Sequence, residues 1–312
     1  MQGTNFRSVR FSYDQLLEAT EALSLFIFQT NANDVLHNVS SFGPDVINNQ
    51  VVVNLIDIMD EQVSLFNEIA LQYPFIIFEQ ANGFAELIPS SDEKIELEDL
   101  SRGLADERNI APQNAIQVRP GDRIFFMRSG ILERDGTVGY SARMNVGAVM
   151  NQRGFVTAAH LGTWTFGRTI RQGDRLYNAQ GQHIGTVHMA SVSPTDAAFV
   201  VLPNNVTFVS GLVVASHNIV GRMVHMTGGA SGTSRNGPIL QIGQRANIMG
   251  QDLRGDIVGF PVINGDSGNM VFTSTPSSSI EVNGIVVADM GNRQAFITTI
   301  QNHGLLLNIM PN

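Results

Sequence analysis

From about residue 116 to the C-terminus the sequence is a succession of short apolar stretches set between glycine-rich turns. They run Arg123 to Met127, Val138 to Met144, Phe155 to Ala158, His183 to Ala190, Ala197 to Leu202, Arg222 to Met226, Ile239 to Ile242, Met270 to Thr273, Gly284 to Ala288 and Ala295 to Thr299. Many short runs at regular spacing, with almost no helical periodicity, point to an all-β barrel or sandwich. The one low-complexity piece, Thr273 to Ser279, reads as a hairpin loop.

The first 115 residues have another character. Ser12 followed by Gln15 has the spacing of a capping box, and Leu16, Leu17, Ala19, Leu23 and Phe26 follow at helical intervals. Val51 to Ile56 is a β-branched strand. Asp60 is expected to cap a helix with Val63, Leu65, Phe66, Ile69 and Ala70 on its apolar face, which Pro74 stops. Phe75 to Phe78 is a second strand, so the segment predicts a strand–helix–strand α/β unit. Residues 89 to about 115 are polar and irregular, with an acidic run from Asp92 to Asp99 and then Ser101-Arg102-Gly103, the composition of an exposed and easily cut linker.

Charge divides the chain at the same place. Positions 1–115 hold 18 acidic and 5 basic residues, net −13, whereas positions 116–312 hold 10 and 14, net +4. Opposite fields of this size favour docking of one segment on the other; the plainer alternative is an acidic, solubilising N-terminal domain. The expected division is an acidic α/β domain with linker over 1–112 and a β domain over 113–312.

Several function classes drop out. A net charge of −9 over 312 residues lacks the basic footprint of a nucleic-acid binder. No apolar run reaches the roughly 18 residues a bilayer span needs. The absence of cysteine excludes disulfides, cysteine nucleophiles and thiolate metal sites. His183 and His188 fall on opposite faces of one strand and make a poor ligand pair, so no metal or other cofactor is expected. Met1-Gln2-Gly3-Thr4 opens on polar residues, without a visible signal peptide.

Three short motifs carry chemistry. Gly265-Asp266-Ser267-Gly268 lies between apolar strands, and its glycines let the backbone turn sharply and let a carbonyl group approach. The amides of Gly265 and Ser267 are placed to face a developing oxyanion. Phe155 to His160 is a strand ending in a small-residue turn that carries the histidine; a hydroxyl becomes a useful nucleophile only when such a base takes its proton. Asp196 immediately precedes the apolar strand Ala197 to Val200, where a carboxylate would be partly buried and could fix an imidazole. Each also has an ordinary reading, as a turn, a core histidine and a strand-start aspartate. Their joint order, His–Asp–Ser, decides between the two.

With these motifs, residues 116–312 resemble the chymotrypsin family of serine proteases, in its compact bacterial branch of streptogrisin and α-lytic protease type. Residues 1 to about 112 resemble the N-terminal pro-region of that branch, which assists folding and inhibits the enzyme, with Val51 to Phe78 matching its strand–helix–strand part. The resemblance implies a mainly β fold of two six-stranded antiparallel barrels, chymotrypsin-like, preceded by a smaller α/β pro-domain and closed by a C-terminal helix over Thr299 to Leu307. It implies Ser267 as nucleophile, His160 as general base and then acid, Asp196 as the orienting carboxylate, and Gly265 and Ser267 as oxyanion donors. Pro261, Val262, Ile263 and Asn264 would line the primary specificity pocket, and the strand Val286 to Asp289 would pair with substrate backbone through Val287, Ala288 and Asp289. Val286 stands where glutamate-specific relatives place a histidine, and Asp289 is either an attractor of basic side chains or a solvated turn residue.

Two departures stand out. Asn269 replaces a second glycine after the motif, and the strand Val224 to Gly228 lacks the arginine that pairs with the residue matching Asp266, leaving Arg222 or a new N-terminus as candidates. The implied protein is a secreted, monomeric serine endopeptidase in zymogen form, acting on proteins or peptides and inhibited by its own pro-region, with its maturation cut between Ser101 and Ala115. The rival readings are a non-catalytic homologue that uses the cleft as a protein-binding module, and an intracellular housekeeping protease.

Overall fold

The computed structural model describes residues 9–29, 33–87, 115–128, 131–146, 149–161, 169–210, 212–229, 232–274 and 279–311. The expected linker, the 112/113 boundary and almost all of the segment expected to hold the cut lie outside the described residues.

The N-terminal unit runs α1 (Tyr13–Gln29), α2 (Asn33–Leu36), β1 (Val39–Asp45), β2 (Gln50–Leu55), α3 (Asp60–Ser64), α4 (Asn67–Gln72), β3 (Ile76–Gln80) and β4 (Glu86–Leu87). Ser12 and Gln15 form the reciprocal capping box that starts α1: the Ser12 amide donates to Gln15 Oε1 at 2.8 Å and the Gln15 amide to Ser12 Oγ at 3.2 Å. Leu16, Ala19, Leu23 and Ile27 then bury the inner face of the helix against β1 and β2. β2 and β3 are parallel, Val51 opposite Ile76, with α3 and α4 as their crossover. The single helix expected from Asp60 is divided. Met59 is the N-cap and supplies no side-chain bond, and the chain turns at Leu65–Phe66, which leaves Leu65 exposed and Phe66 buried. The buried members of the apolar cluster beneath all fall between Leu16 and Ile76, so the unit has its own core.

A first barrel follows, from β5 (Ile116–Val118), β6 (Arg123–Arg128), β7 (Ile131–Thr137), β8 (Ser141–Val146), β9 (Val149–Thr157), β10 (Arg175–Tyr177), β11 (His183–Ser191) and β12 (Ala197–Val201). Only Val138–Tyr140 separate β7 from β8. Together they pair with β6 at one end and β9 at the other, so the order β7/β8–β9–β12–β11–β10–β6 closes on itself with six strands. The remaining elements are β13 (Val206–Phe208), β14 (Leu212–Ala215), β15 (Met223–Met226), β16 (Arg235–Ile248), β17 (Gln251–Val258), β18 (Met270–Ser274), β19 (Ser279–Gly291), β20 (Gln294–Thr299), α5 (Ile300–Leu307) and β21 (Ile309–Pro311). Here the order β15–β18–β19–β20–β17–β16 closes because β15 also pairs with β16. Two closed six-stranded barrels after an α/β unit are the architecture the resemblance implied. β21 returns to the first barrel on β8, and β5 and β13 form a separate parallel ribbon.

Thr299 caps α5, its Oγ1 accepting the Asn302 amide at 3.3 Å. One turn on, His303 is fully buried, its Nδ1 2.8 Å from the Tyr140 hydroxyl and its Nε2 2.9 Å from Thr298 Oγ1. Burial pushes this histidine down to about 3, so its ring is neutral and holds the helix against both barrels.

The N-terminal unit joins the second barrel edge to edge. β1 is antiparallel to β16, with Ser41 opposite Ala246 and Phe42 opposite Arg245, so β3–β2–β1 extend the sheet through β16. β16 and β17 form a long hairpin whose turn residues Met249 and Gly250 have φ of 53° and 79°, as a two-residue type I′ connection requires. The apolar pattern did not mark β1, β7 or β17. β1 and the far half of the hairpin bury polar groups such as Ser41, Gln244, Arg245 and Asn247 against each other, which erases an alternating signature.

Candidate active site

β9 ends at Thr157, and the turn after it presents His160; β12 begins at Ala197, with Asp196 immediately before it. β9 and β12 are paired, Thr157 opposite Ala198, which brings these two positions side by side. Ser267 comes from the second barrel, in the turn between β17 and β18. His160 Nδ1 is hydrogen-bonded to Asp196 Oδ2, and His160 Nε2 lies 2.7 Å from Ser267 Oγ. The other carboxylate oxygen, Asp196 Oδ1, accepts the amides of Ala159 at 3.1 Å and His160 at 3.0 Å. Asp196 itself sits at φ 39°, a strained region for a non-glycine residue, and is fixed there by its amide donating to the Val192 carbonyl at 3.0 Å. With the carboxylate on Nδ1, the imidazole carries its proton there and turns the Nε2 lone pair toward the serine hydroxyl. All three side chains are buried.

The serine turn is clamped from behind. Arg235, at the start of β16, donates from Nη1 to Asp266 Oδ2 at 2.9 Å and to the Pro261 carbonyl at 2.7 Å. Asp266 Oδ2 also accepts the Ile263 amide at 3.1 Å. The cation beside Asp266 is therefore Arg235, which corrects both candidates drawn from the sequence: Arg222 instead lies 3.4 Å from Glu281, and no chain terminus is needed. Gly268 has φ 86°, and a side chain there would come within 2.5 Å of the Thr137 carbonyl, so this glycine is required by both conformation and space. Asn269, where a second glycine was expected, is buried and bonded: its Nδ2 donates to the Thr227 carbonyl at 2.9 Å and its Oδ1 accepts from Thr227 Oγ1. Thr137 Oγ1 donates to the Gly265 carbonyl at 2.7 Å, and the Thr137 amide donates to the Ser267 carbonyl at 2.9 Å. The Gly265 and Ser267 amides thus flank a turn held from several sides.

Of the other sequence-named positions, Val262 is buried in the core of the second barrel with Val286, Phe260 and Val271, whereas Ile263 and Asn264 are exposed and Pro261 is half-buried. Val287 and Ala288 are buried, and Asp289 is half-buried. Val286 is locked to the serine turn, its carbonyl accepting the Gly268 amide and its amide donating to the Asn269 carbonyl, both at 2.9 Å. Beyond it, β19 is already paired. β4 lies antiparallel along it, Leu87 opposite Ala288 and Glu86 opposite Asp289. The sequence reading missed β4 because two residues beside a polar segment carry no periodicity. Among the described residues no helix is long and apolar enough to cross a membrane.

Residues 14–81 match a family model described as a Pro-like C-terminal domain. No curated protein matches the chain. Similar solved structures include Thermobifida fusca Protease A, at 18% identity and a TM-score of 0.47, covering 62% of this chain and 98% of that one. Another is a Cellulomonas bogoriensis chymotrypsin, at 16% and 0.46, covering 63% and 99%. A third is a Nocardiopsis protease, at 18% and 0.46, covering 63% and 99%. In the order of its motifs and in its pair of closed six-stranded barrels, this chain resembles the chymotrypsin-like serine proteases.

Proposed function

We propose that the chain is a serine endopeptidase kept inactive by its own N-terminal unit. The observation that carries this reading is one imidazole hydrogen-bonded on one side to a buried carboxylate and on the other, at 2.7 Å, to a serine hydroxyl. In the proposed reaction Ser267 Oγ attacks the substrate carbonyl carbon while His160 Nε2 takes the hydroxyl proton. The amides of Gly265 and Ser267 receive the oxyanion, and His160 returns the proton to the leaving amine as the C–N bond breaks. Water, deprotonated by the same imidazole, then releases the acyl group from Ser267. Asp196 orients the ring and stabilises the imidazolium. Pro261 to Asn264 would form the wall of the primary pocket, with the apolar Val262 and Val286 behind it.

The strand-to-strand pairing of β4 on Ala288 and Asp289 supports the inhibitory part, because a substrate would need the same edge of β19. Protein or peptide substrates, the pro-region as intramolecular partner and a secreted location follow from the family resemblance. The test is incubation of the wild-type chain and Ser267→Ala with a peptide library, followed by mass spectrometry. The wild type is expected to cut both the library and itself, and the variant to lose at least about 10³-fold in rate. Equal processing of the two would remove the self-cleavage reading.

A further inference from the structure

β4 shows how the β19 edge receives a peptide, and its two residues fit that edge unequally. Leu87 pairs with Ala288 and packs against the main apolar cluster, in which the preceding Ala85 is fully included. Glu86 is exposed and pairs with Asp289. Directly opposed residues of an antiparallel pair share one face of the sheet, within about 5.5 Å at Cβ, and like charges so placed repel. The other strand neighbour of Asp289 is the uncharged Ala295 on β20, and no salt bridge reaches Asp289 or Glu86 among the described residues. Asp289 is also fixed in place, its Oδ1 accepting the Gly291 amide at 2.9 Å.

We propose that Asp289 is a selectivity residue that favours a lysine or arginine at the substrate position paired with it, and that Glu86 is a built-in mismatch that keeps β4 displaceable. A cationic peptide with an aliphatic residue next in sequence would meet the same apolar subsite as Leu87 and exchange a repulsion for an attraction. The chain's own strand therefore holds the cleft through its tether and is outcompeted by such a substrate. The proposal rests on the peptidase reading for its catalytic consequence but not for the pairing itself.

Two measurements test it. In the first, hydrogen exchange of the β4–β19 amides is followed in the full chain as wild type, Glu86→Lys, Asp289→Asn and the double variant, at low and high salt. Asparagine keeps the oxygen that accepts the Gly291 amide, and position 86 is exposed, so both variants retain the folds of β4 and β19. Glu86→Lys is expected to slow exchange about two- to tenfold at low salt, less at high salt, and much less in the Asp289→Asn background. An unchanged rate, or an equal gain without Asp289, overturns the proposal. In the second, fluorogenic peptides Phe-Ala-X-Leu-Z, with X as Lys, Gln or Glu and Z varied before the leaving group, are offered to the same proteins. The expected order of kcat/KM is Lys, Gln, Glu, collapsing in Asp289→Asn; a flat order, or one that survives Asp289→Asn, overturns it. If no peptide is cut while the exchange rates respond as stated, the pairing preference stands and the peptidase reading falls.

Discussion

The N-terminal unit meets the second barrel at two places of opposite build. Along the β1–β16 seam the contact is polar, buried and tied by side chains. Arg245, only 3% exposed, bonds Glu21 Oε2 at 2.6 Å, Ser24 and Asp252, and Arg254 approaches Glu21 at 3.4 Å. Asn247 Nδ2 donates to the carbonyls of Leu36 at 2.7 Å and Val39 at 3.0 Å, and Gln244 to that of Pro44 at 3.0 Å. Both contacts have two paired positions among the described residues, but on the cleft edge one pair opposes two carboxylates where the seam adds buried side-chain bonds. The difference separates anchoring from occupying. A two-pair ladder alone would not persist between free partners, but a tether raises the local concentration of the strand far above what its own affinity needs. Affinity belongs to the seam and access to the cleft.

The sharpest way to break this comparison is Arg245→Met. Removing the cation leaves the Glu21 and Asp252 carboxylates facing each other across the seam. Because Glu21 is half exposed, the cost falls at the low end of the range for a broken buried pair, about 3 kcal/mol. Amide exchange is expected to accelerate both at Ser41–Ala246 and at Leu87–Ala288, since the cleft strand depends on the seam. Protection surviving at β4 with the seam open would show that the cleft strand holds by itself.

Acidity gives an effect of similar or slightly smaller size. Asp256 lies at the root of the hairpin, buried, accepting from the Gly243 amide at 2.8 Å and from Asn218. Burial raises its carboxyl from 3.8 to about 6, against the opposing pull of those two hydrogen bonds. The unfolded chain releases this proton near 3.8 and the folded one near 6. The stability it contributes is therefore full below about 4 and is lost as pH rises to 6, by about 2–3 kcal/mol. His303 runs the other way. Its folded value is about 3, against 6.5 for a solvated imidazole, so its contribution is full above 6.5 and falls on acidification. Wild type minus Asp256→Asn in denaturant titrations from pH 4 to 8 isolates Asp256, because His303 is common to both. A flat difference would contradict its burial.

The smallest change is expected from Leu87→Ser. Leu87 is half-buried, so total stability should fall by no more than about 1 kcal/mol. Exchange at the seam should stay as it was while the cleft ladder opens and peptide hydrolysis rises. A seam loosened equally would merge the two contacts into one.

The parts of this molecule legible in its sequence are those whose cause is local. Ser12 and Gln15 announce α1 because both bonds close within one turn, and Gly265 to Gly268 announce the serine turn because its backbone demands small residues. The strands around His160 and Asp196 show as apolar runs because both faces are buried. What stayed hidden depends on distant pairing. Arg235 precedes Asp266 by most of a hairpin and reaches it only once β16 folds back. β17 looks polar because Asp252 is held by Arg245 and Ser24 and Asp256 by Asn218, β1 because Ser41 bonds Asn54, and Asn269 finds its partner Thr227 only in the fold. The excess of acid in the first segment and base in the second does reappear, as Glu21 between Arg245 and Arg254.

The central claim is that His160 activates Ser267. Reaction of the full chain and of Arg245→Met with an aryl phosphonate, read by intact mass and by the modified peptide, tests it most directly. The account predicts one adduct, on Ser267, forming faster when the seam is opened and slowed by about 10³-fold or more in His160→Ala. No adduct on Ser267 with the seam open, or a rate indifferent to His160, would contradict it.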